Sequence, residues 1–566
     1  MQKRWTIRKH DQETVRRLAT ELQVKPLIAA LLISRGHETP EKAVQFLNPS
    51  PEHLHEPLLL KGMREAVDRI KKAIADREKI LIWGDYDVDG TTGTVLLRKM
   101  LSMLGSGSVF HVPNRFTEGY GINIPALEQA HNNGVTLVIS VDTGTTSIKE
   151  VEFANSIGLD VIITDHHLPK TGEQLPPAIA IVNPNQPGCV YPDKHLAGVG
   201  VAFKLAHALL RENDLEHEVP GLMKIAALGT VADMMELTGE NRAIVALGLI
   251  DLPKTDSYGL KALMEVADCR SDMTSYHIGF RIAPRINAAG RMDVAKHVVE
   301  LFEEQDFGKA RQLASLLDSR NRERQQMQQK ITELALNETE DHDGKHFVVV
   351  AGEGWHQGVI GLAASRIAEK LYRPTIVLSL KDGVGHGSAR GIAGFHLLNA
   401  LESCGELFEK FGGHAGAAGM TIKFENVQEL RKRLNTYAAD LLTPDELIPE
   451  LKIDAVVTSE TLSLSLVEDL CGFEPFGIGN PKPIFLTKNL ILREEPYVMK
   501  DKHLKLKLVG DNNKPFEAVW WDGVERSKGQ TLKPNSRIEL AYVAEANTWQ
   551  GNTRLQLVVE DLRADN

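Results

Sequence analysis

The sequence predicts an α/β protein with a parallel-sheet domain, a smaller α/β domain and a carboxy-terminal β-barrel, with a long helix between the first two. Three observations lead to this fold class. Short apolar strands alternate with amphipathic helices from about residue 60 to 265, which is typical of βαβ units. A largely polar helical pattern covers residues 308–340, and a second α/β pattern follows it. After Pro444, short strands separated by turn residues indicate a small barrel.

The bulk composition bounds the possible functions. A chain of 566 residues is too long for one core, so about three or four domains are expected. The amino terminus lacks the apolar core of a signal peptide, no apolar run reaches membrane-spanning length, and the four cysteines are scattered. We therefore expect a cytoplasmic protein without a membrane partner. The net charge of −11 argues against non-specific coating of nucleic acid, but it does not exclude a nuclease.

The changes in pattern along the chain set the expected boundaries. The helical segment near 308–340 is polar on almost every side, which favours a helix that bridges two domains through solvent; a surface helix lying on one domain is the alternative. We expect an N-terminal helical segment at 1–50, a catalytic α/β domain at 51–300, a connecting helix at 301–345, a second α/β domain at 346–447 and a β-barrel domain at 448–566.

Three predicted strands end in the same kind of residue. The apolar runs 80–83, 137–141 and 161–164 lead into Gly84–Gly90, Asp142-Thr143-Gly144 and Asp165-His166-His167. The carboxyl ends of parallel strands meet at one edge of the sheet, where open α/β sheets bind their ligands. Oxygen ligands mixed with imidazole and without thiolate suit Mn²⁺ or Mg²⁺ better than a structural zinc. The pattern therefore predicts a metal-dependent hydrolase.

Each motif alone has an ordinary alternative. The acidic loop holds Asp85, Asp87 and Asp89, whose like charges raise one another's pKa unless a cation neutralises them. A solvated acidic turn remains possible for this loop, whereas an EF-hand is excluded because its twelfth position is Leu96. Asp-Thr-Gly is also a good helix cap, a histidine pair is more often structural, and Asp233 has no signature of its own. The prediction of a metal site therefore rests on the occurrence of all these motifs in one chain.

The combined motifs resemble the DHH phosphoesterase superfamily, named for its Asp-His-His motif, and within it the single-strand-specific 5′→3′ DNA exonucleases. The resemblance covers nearly the whole chain and extends to 229–233, 283–291, 354–361 and the DHH-associated (DHHA1) motif at 412–419. It implies two divalent ions, Mn²⁺ or Mg²⁺, with Asp142 as the bridging ligand. The implied metal ligands are Asp85, Asp87, Asp89, Asp142, His166 and Asp233. The implied catalytic residues are His167, Arg285, Asn287 and Arg291.

An exonuclease must also recognise a strand terminus. The resemblance places Ser388 and Arg390 at the 5′ phosphate, with Arg115 opposite and His414 as a further phosphate contact. The planar guanidinium suits bidentate capture of a phosphate. Without the resemblance, Arg115 and Arg390 are equally consistent with ordinary ion pairs, and His414 with a packed residue.

The carboxy-terminal barrel resembles an OB-fold, a common platform for single strands. Its candidate contacts are Phe473, Phe476, Trp520, Trp521, Lys502, Lys505 and Lys507, although each aromatic alone is more often a core residue.

The resemblance implies a metal-dependent exonuclease that degrades single-stranded DNA from the 5′ end to 5′-mononucleotides in DNA repair and recombination. Its expected form is a monomer, and single-strand-binding protein and a repair helicase are candidate partners beside the DNA. Two alternatives stay open: a small-nucleotide or oligonucleotide phosphodiesterase of the same superfamily, and a non-catalytic scaffold. The extra barrel argues against the first and the intact acidic and histidine motifs against the second.

Overall fold

The computed structural model describes residues 3–115, 117–170, 172, 174–269, 272–292, 295–340, 346–510 and 513–565. The chain forms two compact units. The first unit comprises Thr39–Arg322 and Gly472–Lys482; the second comprises Met1–Glu38, Glu323–Cys471 and Pro483–Asn566. Within the described residues, no helix is long and apolar enough to cross a membrane.

The N-terminal segment differs from the expected helical lead-in. It begins with a strand, β1 (Arg4–Ile7), followed by α1 (Gln12–Leu22) and α2 (Pro26–Ser34). β1 pairs in parallel with Glu450–Ile453, so the first residues join the C-terminal part of the chain in the second unit. Trp5 donates a 2.7 Å hydrogen bond from its indole to Asp561 and lies under the Arg563 guanidinium, 4.0 Å from the ring centroid. Local sequence could not reveal a partner strand so distant in the chain.

The first unit contains the predicted parallel sheet with helices on both faces. Its five strands are parallel and lie in the order β3-β2-β4-β5-β6. Along β2, Ile80 and Ile82 enter one hydrophobic core, whereas Leu81 and Trp83 enter the other. The elements are α3 (Pro40–Leu47), α4 (Met63–Ala75), β2 (Lys79–Trp83), α5 (Val88–Met103), β3 (Ser108–His111), α6 (Ile124–Asn132), β4 (Val135–Val141), α7 (Ile148–Ser156), β5 (Asp160–Thr164), β6 (Ala180–Val182), α8 (Gly198–Arg211), α9 (Pro220–Ala232), α10 (Gly239–Asp251), α11 (Tyr258–Val266), α12 (Ser275–His277), a π-helical turn (Ile278–Ile282), α13 (Ala283–Arg291) and α14 (Lys296–Glu303).

The long helix α15 (Phe307–Glu340) confirms the predicted connecting helix. Ala310, Ala314 and Leu317 belong to the core of the first unit. Ile331 and Ala335 lie in a core of the second unit. The apolar residues at its two ends thus pack in separate cores, although the middle of the helix is polar.

The second unit contains the smaller α/β module and the barrel. The module's sheet has the order β10-β11-β9-β8-β7, in which only β7 and β8 are parallel. The barrel strands run β14-β18-β19-β17-β16, and β14 also pairs with β16, which joins the ends into a ring. The elements are β7 (Val348–Glu353), α16 (Gln357–Leu371), β8 (Thr375–Lys381), β9 (Val384–Arg390), α17 (Leu397–Glu402), β10 (Phe408–Gly413), β11 (Ala417–Lys423), α18 (Val427–Leu441), β12 (Glu450–Ile453), β13 (Ala455–Val456), α19 (Leu464–Cys471), β14 (Phe485–Leu492), β15 (Tyr497–Met499), β16 (His503–Val509), β17 (Pro515–Trp520), α20 (Gly523–Arg526), β18 (Arg537–Trp549) and β19 (Asn552–Ala564).

Candidate metal centre

The three predicted acidic motifs meet at one edge of the first unit's sheet. β2, β4 and β5 are neighbours and parallel, so the residues after Trp83, Val141 and Thr164 share the carboxyl edge. The first motif also starts a helix. α5 begins at Val88, within the acidic loop, because the Asp87 carboxylate caps it by accepting a 3.0 Å hydrogen bond from the Gly90 amide.

Asp89 lies in the first turn of α5 and is buried. Its two oxygens accept hydrogen bonds from the Gly198 and Val199 amides at 2.6 and 2.7 Å. These amides begin α8, so the positive end of that helix faces the carboxylate. Gly229 of α9 permits the approach, since a Cβ there would stand 2.8 Å from Asp89 Oδ1. Three helices therefore surround Asp89: α5 carries it, α8 donates hydrogen bonds to it and α9 packs closely against it.

Asp142 occupies the centre of the edge. Its backbone is left-handed, with φ of 60°, and its amide donates a 3.0 Å bond to the Thr164 carbonyl of the next strand. Tyr120 donates from its hydroxyl to the Asp142 carbonyl at 3.2 Å. Gly198 again allows close packing, because a Cβ there would lie 2.6 Å from that of Asp142. The hydrogen bonds of the Asp142 backbone and the close packing of Gly198 therefore fix the position of this carboxylate.

His166 brings the motifs together. Its Nε2 lies 3.1 Å from Asp142 Oδ1, 3.6 Å from Asp233 Oδ2 and 3.9 Å from Asp89 Oδ2. Burial, together with the charge of His167, lowers the pKa of His166 to about 4. A neutral imidazole among carboxylates is the form that ligates a metal ion.

His167 is held differently from its neighbour. Its Nδ1 lies 2.7 Å from Asp165 Oδ1, and about half of its side chain is exposed. Burial opposes the charged form, but the hydrogen bond and charge of Asp165 raise the pKa of His167. Burial also acts to raise the pKa of Asp165, yet bonds from His167 and Thr145 hold that pKa down at about 2. Asp165 thus orients His167, a role that the sequence analysis did not assign although Asp165 begins the motif.

Burial and like charges disfavour the ionised form of several carboxylates at this edge. Burial raises the pKa of Asp85 to about 8 and that of Asp233 to about 7, in each case with a contribution from the charge of Asp87. Burial and neighbouring carboxylates also raise the pKa of Asp89 and Asp142 well above the usual range. One oxygen each of Asp85 and Asp142 is buried without a hydrogen-bond partner. Divalent cations would satisfy both the charges and the orphaned oxygens.

The ligand atoms form three groups, each within 4.8 Å: Asp85, Asp87 and Asp142; Asp89, His166 and Asp233; and Asp142, His166 and His167. All six residues predicted as metal ligands are therefore brought together. Asp142 belongs to the first and third groups, and its Oδ1 lies 3.1 Å from His166 of the second group, which fits the expected bridging position.

Three of the residues predicted to be catalytic, Arg285, Asn287 and Arg291, lie on α13 and make different contacts. Asn287 accepts a 3.3 Å bond from the Val88 amide, so it supports the start of α5. Arg291 lies near the Asp87 carboxylate. Burial raises the pKa of Asp87, and the positive charge of Arg291 acts to lower it. The Arg285 guanidinium donates to Asp318 and to two backbone carbonyls. These contacts favour a structural role for Arg285, in which it joins α13 to α15.

Arg115 lies beside the acidic loop in the same unit. Its guanidinium carbon is 5.2 Å from the centroid of the Tyr86 ring. Both residues line a cavity of about 520 Å³ whose wall also includes His111, Glu118 and Lys296.

The remaining phosphate candidates assemble in the second unit. The Arg390 Nη1 donates to Ser388 Oγ at 3.2 Å, and a Cβ on Gly361 of α16 would lie 2.9 Å from that hydroxyl. The loop holding His414 joins β10 to β11, and the Gly416 carbonyl of this loop accepts a 2.9 Å bond from the Gly391 amide. Ser388, Arg390 and the His414 loop thus share one end of the sheet, beside the first turns of α16.

Only some of the side chains predicted to contact a DNA strand are exposed and without an ion-pair partner among the described residues. Trp520 and Phe473 are fully buried, and Phe473 and Phe476 lie in Gly472–Lys482, which packs with the first unit. Lys505 and Lys507 pair with Glu517 and Glu494 at 3.0 and 2.9 Å. Trp521 is half exposed and meets His503 edge to face. Among the aromatics proposed from sequence, Trp521 best fits a surface contact.

A buried, ligand-rich edge on a parallel sheet places the chain in the class of metal-dependent phosphoester hydrolases. The sequence patterns of three families match: DHH family, N-terminal domain, at residues 79–230; DHHA1 domain at 343–440; and RecJ OB domain at 453–561. The chain belongs to the RecJ family of single-stranded-DNA-specific exonucleases.

Individual relatives support this assignment over nearly the full length. The single-stranded-DNA-specific exonuclease RecJ of Bacillus subtilis (strain 168) is 41% identical over 563 residues, which cover 99% of this chain and 70% of that protein. RecJ of Escherichia coli (strain K12) is 33% identical over 99% of this chain and 100% of its own length. The crystal structure of RecJ from Thermus thermophilus in complex with Mn²⁺ superposes with a TM-score of 0.85 at 29% identity, covering 100% of this chain and 80% of that one.

Proposed function

We propose that this chain is a metal-dependent exonuclease that degrades single-stranded DNA from the 5′ end to 5′-mononucleotides, in DNA repair and recombination. The observation that carries the proposal is the convergence of two ligand groups at one sheet edge, with Asp142 of one group 3.1 Å from His166 of the other. The names of the relatives, and the Mn²⁺ complex of the Thermus protein, supply the substrate class and support the metal.

The residues at the sheet edge have different proposed roles. Asp85, Asp87 and Asp142 would hold one ion, and Asp89, His166 and Asp233 would hold the other. Two ions at such a site stabilise charge on the attacking and leaving oxygens of a phosphodiester. His167, which Asp165 orients and whose pKa it raises, would donate a hydrogen bond to a non-bridging phosphate oxygen. Asn287 keeps the acidic loop in register through the Val88 amide.

The 5′ phosphate is the proposed ligand of Ser388, Arg390 and His414. A hydroxyl and a guanidinium beside the first turns of a helix are suited to an anion. Arg115 is proposed as a further phosphate contact on the first unit. Recognition of this terminal group gives the 5′→3′ direction. The proposed acting form is a cytoplasmic monomer, with single-strand-binding protein and a repair helicase as partners.

The test uses single strands labelled at the 5′ or the 3′ end, with Mn²⁺ or Mg²⁺. The expected result is immediate release of a labelled mononucleotide from the 5′-labelled strand and progressive shortening of the 3′-labelled strand. Asp89→Ala removes a carboxylate from one ligand group and should reduce the rate by at least about a thousandfold. Glu265→Ala, a substitution in the exposed pair with Arg311, is the matched control. Mononucleotides released first from the 3′ label, or full activity in Asp89→Ala, would contradict the proposal.

A further inference from the structure

One segment of the C-terminal chain packs into the first unit beside the metal centre. We call Gly472–Lys482 the strap; it follows α19 and precedes β14, both of which belong to the second unit. We propose that the strap positions Asp233 for metal binding, an inference that rests on the proposed function. No described residue of the strap is itself in a ligand group.

One buried arginine forms hydrogen bonds with the first residues of the strap. Arg242 of α10 is almost fully buried and donates to four successive backbone carbonyls, from Gly472 to Pro475, at 2.7 to 3.5 Å. Its guanidinium also donates to the Phe46 carbonyl and lies 3.8 Å from the Phe46 ring centroid. Asn480, fully buried, folds the strap back on itself by donating to the Phe473 and Pro475 carbonyls at 2.7 and 2.9 Å. Such a satisfied, buried network holds a defined conformation.

The middle of the strap contacts the loop that follows Asp233. The Leu237 amide donates a 2.8 Å bond to the Ile478 carbonyl, and Leu237 is buried. Gly477 and Gly479 make the approach possible: a Cβ on Gly477 would stand 2.7 Å from Leu237 Cδ1, and one on Gly479 would stand 3.1 Å from Thr238 Cγ2. On the other side, Ser275 donates a hydrogen bond to the Phe476 carbonyl.

The loop needs this support because its local geometry is unfavourable. Asp233 ends α9, and the next residue, Met234, has a left-handed backbone with φ of 58°. That conformation is unfavourable for a residue other than glycine. The Met234 side chain is about two-thirds exposed, so its own packing does little to hold the turn. The contacts of Leu237 and Thr238 with the strap fix the loop only a few residues from the ligand, and Asn241 adds a bond to the Glu236 carbonyl at 3.1 Å.

The consequence is that metal affinity depends on a segment distant in sequence. Groups that orient a ligand typically contribute about 10–100-fold to metal affinity when they are lost. A displaced strap should therefore weaken the group that contains Asp233, and leave the group of Asp85, Asp87 and Asp142 intact.

The test measures Mn²⁺ binding to the full chain by titration calorimetry, with thermal unfolding measured in parallel. Gly477→Ala adds a methyl group against Leu237, and Gly479→Ala adds one against Thr238 at a backbone φ of 75°. Gly158→Ala is the matched control for Gly479→Ala, because its φ of 77° is nearly the same but nothing lies within 4 Å of the new methyl group. Gly107→Ala is the matched control for Gly477→Ala, because Gly107 also lacks a positive φ and nothing lies within 4 Å of its new methyl group. Gly477→Ala has no positive φ to violate, so it keeps the test decisive if Gly479→Ala does not fold.

The expected result is an affinity about tenfold lower for one of two ions in Gly477→Ala, with the other ion and the unfolding midpoint as in the control. Affinities of both ions in Gly477→Ala equal to those in Gly107→Ala would overturn the role of the strap while leaving the proposed function intact. An equal loss for both ions together with a lower midpoint would also overturn it, since that result indicates a general structural defect. Wild-type protein that binds no Mn²⁺ would refute the metal centre, and the role of the strap with it.

Discussion

At the scale of single residues, the centre relies on carboxylates that are costly without a cation. Asp85 and Asp142 each keep a buried oxygen without a hydrogen-bond partner, and like charges surround both. Folding places them there because glycines at 90 and 198 leave room for close packing against Asp85 and Asp142, and because strand ends bring the motifs together. The same arrangement that strains the metal-free protein makes a strong site for hard cations.

Arg390 is the residue whose proposed role is easiest to separate from hydrolysis. Its contacts with Ser365 and Ser388 fix the guanidinium beside α16, remote in sequence from every proposed metal ligand. Arg390→Ala should lower the ratio of rates on 5′-phosphorylated over 5′-hydroxyl strands by about 10–100-fold, the range for hydrogen bonds to a charged group. Initial rates on the two strands give the ratio.

A control on the same helix makes the comparison specific. Arg366 of α16 is exposed and pairs at 3.8 Å with Glu369, so Arg366→Ala should leave the ratio unchanged. An Arg390→Ala enzyme with the wild-type ratio would refute the phosphate role even if its overall rate were reduced.

At the scale of elements, a buried ion pair joins α8 to α10 behind the metal centre. Lys204 Nζ lies 2.5 Å from Glu240 Oε1, and neither side chain is exposed. Glu240 also accepts from the His55 amide at 3.0 Å and from the Tyr191 hydroxyl at 2.5 Å. α8 supplies the amides that hold Asp89, so this pair fixes a helix on which the centre depends.

Glu240→Gln tests the pair by leaving the Lys204 ammonium buried without its counter-ion. Breaking a buried pair from one side costs about 3–5 kcal/mol, which for a unit of this size lowers the unfolding midpoint by roughly 10 °C. The exposed pair of Glu265 with Arg311 provides the control, since Glu265→Gln should cost less than about 1 kcal/mol. Circular dichroism during heating measures both midpoints, and equal midpoints would contradict the importance of the buried pair.

The elements also show what sequence can and cannot predict. β2, β4 and β5 were predicted closely because each has a local apolar pattern and a local end signal. β9, in contrast, reads Val-Gly-His-Gly-Ser-Ala-Arg, and glycines weaken any local strand signal. Its strand conformation depends on pairing with β8 and β11 on both sides.

At the scale of the whole molecule, the same limit applies over longer distances. All six candidate metal ligands were named from motifs, because these motifs lie in short segments that follow a strand or a helix. The pairing of β1 with β12 and the packing of the strap against the loop after Asp233 join residues more than two hundred positions apart. Neither contact leaves a mark in local sequence, since a parallel partner and a backbone hydrogen bond require no particular side chain.

The whole chain should respond to metal in a way that depends on pH. Unfolding returns Asp85 and Asp233 to ordinary acidity, whereas in the folded, metal-free protein burial and the charge of Asp87 raise their pKa to about 8 and about 7. The folded state therefore binds more protons, and metal-free stability falls as the pH rises from about 4 to about 8. Mn²⁺ replaces those protons, so its stabilising effect should grow over the same interval.

The measurement is the shift of the unfolding midpoint caused by about 1 mM Mn²⁺ at about pH 6 and about pH 8. At the lower pH, protons compete for Asp85 and Asp233, and the apparent affinity should be at least about tenfold weaker. The shift should accordingly be larger at the higher pH. Asp142→Asn, which removes the carboxylate shared by two ligand groups, should lose most of the shift at both pH values. A shift in the wild type that is equal at the two pH values would mean that these carboxylates do not release protons to the metal.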